Sequence, residues 1–308
     1  MIPSLTLSTA ARENASCVLP GEDYRIMMPT SHDTLRPLTD REFRQFRGMI
    51  FQEAGINLID AKKALVAGRL TRRIHELELR DYSAYFELVE RDLTERTRMI
   101  DAICTNETRF FREPAQFEFL ETRVMPQWRA AAENGLPRRV RAWSAACSTG
   151  EEPYSLAMTL AHGLPDWSID IVASDLSTKV LGRAREGMWP VERAGDIPLH
   201  YRKAYMLRGV RSEEGRMRVV PEIRSLIDFR QINLTAEEPI AGEFDLIFCR
   251  NVLIYFDRPT KDAVVDRLLR RLAPGGLLFL GHAESLTGWS HRVRSIGPTI
   301  YAPIEVSR

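Results

Sequence analysis

From residue 139 onward, short apolar runs recur between stretches of helical period, and this alternation restricts the possible folds more than any other feature of the chain. The apolar runs are 139–143, 167–173, 226–232, 244–249 and 277–280. The helical stretches are 153–162, 177–186 and 259–272. Strand, helix and strand in succession need crossover connections, which favour parallel pairing with helices on both faces. The expected fold class is therefore α/β, with a doubly wound, mostly parallel sheet. Between 189 and 225 the alternation stops. There 205–208 and 217–220 flank a turn bounded by Gly209 and Gly215, which predicts a β-hairpin subdomain inserted at about 190–225.

The first third of the chain has a different period. Leu38-Thr39-Asp40-Arg41-Glu42-Phe43 reads as a helix start, with Thr39 and Glu42 as a capping box and Leu38 and Phe43 as the apolar staple. Beyond it, Phe43, Phe46, Ile50 and Phe51, then Val66, Leu70, Ile74 and Leu77, keep helical spacing, with breaks at Gly55 and Asp81. The division expected is a tail at 1–36 without regular structure, an all-α domain at 37–104 and an α/β domain at 105–308.

Composition narrows the function classes. The 308 residues carry 43 Lys and Arg against 42 Asp and Glu, a net charge of +1, which argues against a dedicated nucleic-acid binder. No apolar run approaches the ~18 residues of a membrane span, and the N-terminus lacks a secretory pattern. Four scattered cysteines contain no C-x-x-C pair, and the histidines have no ligand spacing, so neither a disulfide framework nor a metal site is expected. A cytoplasmic protein fits these limits.

Doubly wound sheets bind ligands at the carboxyl ends of their strands. The loop Ser144-Ala145-Ala146-Cys147-Ser148-Thr149-Gly150 sits at such a place and opens a helix with Glu151-Glu152. It has neither the glycines of a dinucleotide fingerprint nor a Gly-Lys-Ser/Thr phosphate loop. Paired carboxylates repel phosphate and suit an ammonium group, or else they merely complement the helix dipole. Asp175, at the end of the second strand, either accepts ribose hydroxyls or caps the next helix. With Pro274-Gly275-Gly276 before the fifth strand, these features are similar to the S-adenosylmethionine-dependent methyltransferase fold.

Four longer strings sharpen the reading: 105–113 (TNETRFFRE), 142–155 (AWSAACSTGEEPYS), 248–256 (FCRNVLIYF) and 281–286 (GHAESL). Together they resemble the chemotaxis receptor methyltransferase family, CheR, from about Leu38 to the C-terminus. The resemblance implies S-adenosylmethionine as cofactor and glutamate side chains on the cytoplasmic helical bundle of chemoreceptors as substrate. Carried over by position, the cofactor contacts are Asn106, Thr108, Arg112, Glu152, Asp175, Asn233, Leu234, Arg250 and Asn251. Arg112 would meet the cofactor's carboxylate and Glu152 its ammonium. Tyr255 and Arg250 are the catalytic candidates, placed to orient the incoming carboxylate, although Tyr255 also suits an apolar core. Cys147 stands where a smaller residue is expected.

Two further expectations concern partners. The cations Lys62, Arg69, Arg72 and Arg73 have no acid between Asp60 and Glu76, and they form either a solvated helix face or a receptor-docking face. The cofactor would then lie wholly in the second domain, away from them. The inserted hairpin has a family parallel in a subdomain that holds a receptor's C-terminal tail by strand addition. A chain with this fold could instead bind cofactor or receptor without turnover, as a silent scaffold.

Overall fold

The computed structural model describes residues 35–237, 240–286, 288–289 and 291–304, so the tail expected at 1–36 lies almost wholly outside the described residues. Helix α1 (Asp40–Ala54) starts as its sequence dictates. Thr39 N donates to Glu42 Oε2 at 3.0 Å, and Glu42 N donates to Thr39 Oγ1 at 3.3 Å. Leu38 and Phe43 are buried. Gly55 ends the helix in the left-handed region, its N–H donating to the Phe51 carbonyl. Helices α2 (Lys63–Glu76), α3 (Tyr82–Arg91) and α4 (Leu93–Ile103) follow, the last two capped by Asp81 and Asp92. Their shared core is built from Phe46, Ile50, Val66, Leu70, Ile74, Tyr85 and Met99, each fully buried. Phe51, grouped with this stripe by spacing, is 40% exposed.

Helix α5 (Pro114–Phe119) passes through a π turn (Leu120–Val124) into α6 (Met125–Glu133). The α/β unit then runs β1 (Arg139–Ala145), α7 (Glu151–Gly163), β2 (Ser168–Asp175) and α8 (Thr178–Glu186). An insertion carries β3 (Met188–Pro190), α9 (Leu199–Tyr205), β4 (Met206–Arg208), β5 (Arg216–Val219) and α10 (Pro221–Arg224). The chain returns with β6 (Ile227–Gln231), β7 (Phe244–Cys249), α11 (Arg258–Arg270), β8 (Leu272–Leu280), β9 (Val293–Gly297) and β10 (Ile300–Pro303).

The main sheet has the order β6-β2-β1-β7-β8-β10-β9, with the first five strands parallel and β10 antiparallel to both its neighbours. Each sheet face is covered by its own apolar layer. One joins Phe117, Leu120, Met158 and Leu160 to Phe248 and Phe279; the other joins Val264, Val265 and Leu268 to Ile247 and Leu278. Strand order reverses between β1 and β7, so their carboxyl ends frame the crevice where such sheets take ligands.

The expected hairpin is present as β4 paired antiparallel with β5, and the insertion adds a third strand to it. The result is a three-stranded antiparallel sheet, β3-β5-β4, because Met188-Trp189-Pro190 adds to β5. Three residues are too few to show an alternation in sequence. Pro274-Gly275-Gly276 lies inside β8 rather than before it, at a register shift opposite Phe244 and Leu246. A Cβ on Gly276 would stand 2.9 Å from the carbonyl oxygens of Ala273 and Phe244, which accounts for glycine there.

Candidate cofactor site and its surroundings

A cavity of about 430 Å³ opens at the carboxyl ends of β1, β2 and β7. Its lining contains all ten residues expected to bind cofactor or act in catalysis: Asn106, Thr108, Arg112, Glu152, Asp175, Asn233, Leu234, Arg250, Asn251 and Tyr255. Backbone strain concentrates around it. Ala146 and Ser148 in the loop after β1, Asn251 after β7, and Phe111 and Glu113 before α5 all have positive φ without being glycine. Gly281 makes one of these turns possible, since a Cβ there would come within 2.6 Å of the Asn251 side chain.

The paired acids at the start of α7 separate. Glu152 lines the cavity, its Oε1 accepting from Ser144 Oγ at 2.7 Å and its Oε2 from Arg250 Nη1 at 3.2 Å. Burial pushes its carboxyl above the ordinary value, against the opposing pull of Arg250. Glu151 is buried outside the cavity lining, where its Oε2 accepts from Thr149 Oγ1. Asp175 ends β2, with Oδ2 accepting from Ser148 N and Oδ1 from Ser177 N, both at 2.9 Å. Burial raises its carboxyl too, although those N–H groups favour the charged form. Ser177 itself caps α8, so Asp175 fixes the loop while still facing the cavity.

Arg250 lines the cavity with the other expected residues. Its side chain is 2% exposed and sits between Glu113 and Glu152, with Nη2 3.2 Å from Glu113 Oε2 and Nη1 3.2 Å from Glu152 Oε2. Nη2 also donates to the Arg112 carbonyl. Tyr255 closes a turn of 3₁₀ helix (Leu253–Tyr255), and its hydroxyl has no hydrogen-bond partner among the described residues. Its side chain is half-buried and lines the cavity, so it is not among the fully buried core residues. Cys147 and Cys249 are buried thiols whose pKa burial raises well above normal, and Cys104 is pushed up to about 12 by the same cause.

Two groups escaped the sequence reading. Glu284, 1% exposed, accepts from the backbone N–H groups of Asn251, Leu253 and Gly281, and so shapes the turn that presents Tyr255. Its signal was the string 281–286, quoted without a role for the acid. The helical lobe also supplies cavity wall through Ala54, Ile56, Asn57, Leu58, Ile59 and Leu65. Ile56 bridges to Phe256, and Asn57 N donates to the Tyr255 carbonyl at 2.8 Å. The candidate cofactor cavity is thus lined by both lobes, where the expectation had the second lobe alone.

The basic face is divided as well. Arg73 grips buried Glu95 with Nε–Oε1 and Nη2–Oε2 distances of 2.6 Å. Arg69 donates to the Ile103 carbonyl and, at 3.0 Å, to Thr105 Oγ1. Arg72 projects outward with a surface pair to Glu76, and Lys62 is exposed at the cavity's helical-lobe side.

The donor set fits S-adenosylmethionine. Asp175 suits the ribose hydroxyls, Glu152 an ammonium, Arg112 a carboxylate, and Ile232 and Leu234 an apolar ring. No phosphate-binding glycine loop competes with that assignment. Among the described residues no cluster of His, Cys, Asp and Glu is placed to hold a metal, and no helix is long and apolar enough to cross a membrane.

Comparison with known proteins agrees. The CheR methyltransferase all-alpha domain matches residues 41–104, and the CheR methyltransferase SAM-binding domain matches 106–302. Chemotaxis protein methyltransferase 2 of Pseudomonas aeruginosa is 44% identical over 86% of this chain and 94% of its own. The chemotaxis protein methyltransferase of Escherichia coli K12 is 40% identical over 86% and 91%, and that of Klebsiella aerogenes 38% identical over 96% and 97%. With an all-α lobe, a parallel sheet and a cavity fitted to S-adenosylmethionine, the chain belongs to the CheR family of S-adenosylmethionine-dependent methyltransferases of chemotaxis.

Proposed function

We propose that this chain is a protein-glutamate O-methyltransferase that esterifies glutamate side chains on the cytoplasmic helical bundle of chemoreceptors, acting in the cytoplasm. The observation that carries the reading is the cavity lining: it brings Tyr255 and the cation Lys62 together and contains no histidine. A glutamate is ionised at neutral pH, reference pKa about 4.3, so its transfer requires no strong base. An amine acceptor would require one. The carboxylates that line the inner cavity, Glu152 and Asp175, are already engaged by Ser144, Arg250, Ser148 and Ser177.

S-adenosylmethionine, when bound, supplies a methyl group activated by a sulfonium. The protein's part is to align and desolvate the two reactants. Asp175, Glu152 and Arg112 would fix the cofactor's polar groups, and Arg250 holds Glu152 in place from behind. Tyr255 would donate its unengaged hydroxyl to the acceptor carboxylate, orienting it without the strong pairing that would damp its nucleophilicity. Lys62, Arg72 and the rim around Tyr255 form the receptor-facing side. A receptor tail would add to β4, an edge strand with Leu207 half-exposed.

The test is transfer of labelled methyl to a receptor cytoplasmic fragment. Label should appear in the native fragment and vanish when its acceptor glutamates are replaced by alanine. Undiminished labelling of the alanine fragment would refute the reading.

A further inference from the structure

We infer that Glu113 is a positioning residue whose charge, transmitted through Arg250, tunes the cofactor cavity toward the cationic sulfonium and away from the neutral thioether product. Glu113 does not line the cavity. It is 8% exposed, holds a left-handed backbone (φ 59°) at the start of α5, and accepts from His282 N at 3.0 Å. Its other oxygen lies 3.2 Å from Arg250 Nη2, while Glu152 pairs with Nη1 of the same guanidinium.

The charge count gives this arrangement a consequence. The ionised side chains that line the cavity are Lys62, Arg112 and Arg250 against Glu107, Glu152 and Asp175, so they balance. Glu113, packed behind Arg250, tips the site to one net negative charge. S-adenosylmethionine carries a sulfonium, an ammonium and a carboxylate, and is net positive by one. S-adenosylhomocysteine lacks the sulfonium charge and is net neutral. With Glu113 present, Arg250 is shared between two acids, and Glu152 keeps part of its negative charge for the ligand's ammonium. Without it, Arg250 would neutralise Glu152 alone. Both ligands would feel that change at the ammonium, but only the substrate would also lose attraction at the sulfonium. A backbone strained at a non-glycine residue, and a buried acid outside the cavity lining, are understandable if that acid acts through its neighbour.

The test is calorimetric titration of S-adenosylmethionine and S-adenosylhomocysteine, both in one buffer at pH 8. Glu113→Gln keeps an oxygen for the His282 N–H and removes the charge. It should weaken S-adenosylmethionine about tenfold, the order expected for one unit charge acting within a protein interior, and the product less than about threefold. Glu113→Asp should preserve the wild-type ratio of the two affinities even if both fall. Should the Gln variant not fold, His282→Lys sets a fixed cation beside Glu113 at an exposed position and should shift the ratio the same way. Equal losses for both ligands, or no loss, overturn the inference. Wild-type protein that binds neither ligand would overturn the cofactor assignment as well.

Discussion

Replacing Arg73 by Met should destabilise the helical lobe rather than merely remove a surface charge. Arg73 lies on the face of α2 that packs on α4, and both its pairing nitrogens contact Glu95 at 2.6 Å. The Glu95 side chain is 3% exposed, and Tyr85 Oη donates to its Oε1 at 3.1 Å. Removing the guanidinium strands a buried carboxylate, and breaking a buried pair in this one-sided way costs about 3–5 kcal/mol. For a chain of this size that corresponds to a fall in Tm of roughly 10 °C. Arg73→Met/Glu95→Leu should recover most of it, because no uncompensated charge remains. Burial raises the Glu95 carboxyl, but bonds from Arg73, Tyr85 and Arg98 outweigh it, and the net shift is downward. A carboxylate with a depressed folded pKa stabilises above its unfolded value, about 4.3, and that contribution fades as pH falls below it. The wild type should therefore lose Tm steeply below about pH 4.5, and the double variant less so. Scanning calorimetry across pH decides the matter. An Arg73→Met protein within about 2 °C of wild type would refute the reasoning.

Asp175→Asn should weaken S-adenosylmethionine by about tenfold or more and lower Tm by only a few degrees, since one of the two backbone N–H groups keeps its acceptor oxygen and the other loses it. Asp175→Ala should also lower Tm, because it leaves the buried N–H groups of Ser148 and Ser177 without their acceptor; titration and melting together separate the two effects. Tyr255→Phe should cut the methylation rate by about tenfold with little change in cofactor affinity, and equal rates would remove the hydroxyl from the transition state. Lys62→Glu with Arg72→Glu should raise the receptor concentration needed for half-maximal rate and flatten its salt dependence, because attraction between exposed charges is screened over about 8–10 Å. Parallel salt curves would take these cations off the docking surface.

The central strands were most legible, because β7 and the end of β8 are buried on both faces and read as continuous apolar runs. Phe244–Cys249 lies at the residues expected for it. The β3 strand was not legible, since three residues carry no period, and neither was β9–β10, whose burial alternates weakly. At the site, Asp175 and Glu152 announced themselves by position, an acid at a strand end and an acid at a helix start. Arg250 was placed in the site, but spacing does not reveal that Glu113, 137 residues earlier, packs against it. The basic face failed for a similar reason. A helical wheel shows that Arg69 and Arg73 share a side, but not that Ile103, Thr105 and Glu95 occupy it.

The chemical nature of the transferred methyl group tests the central claim most directly. A receptor fragment labelled by this protein from S-adenosylmethionine should be digested, the modified residue mapped by mass spectrometry, and the peptide exposed to mild alkali. The account predicts methyl on a glutamate side chain, released as methanol with recovery of the free acid. Alkali-stable label, or label mapped to lysine, arginine or a chain terminus, would contradict it.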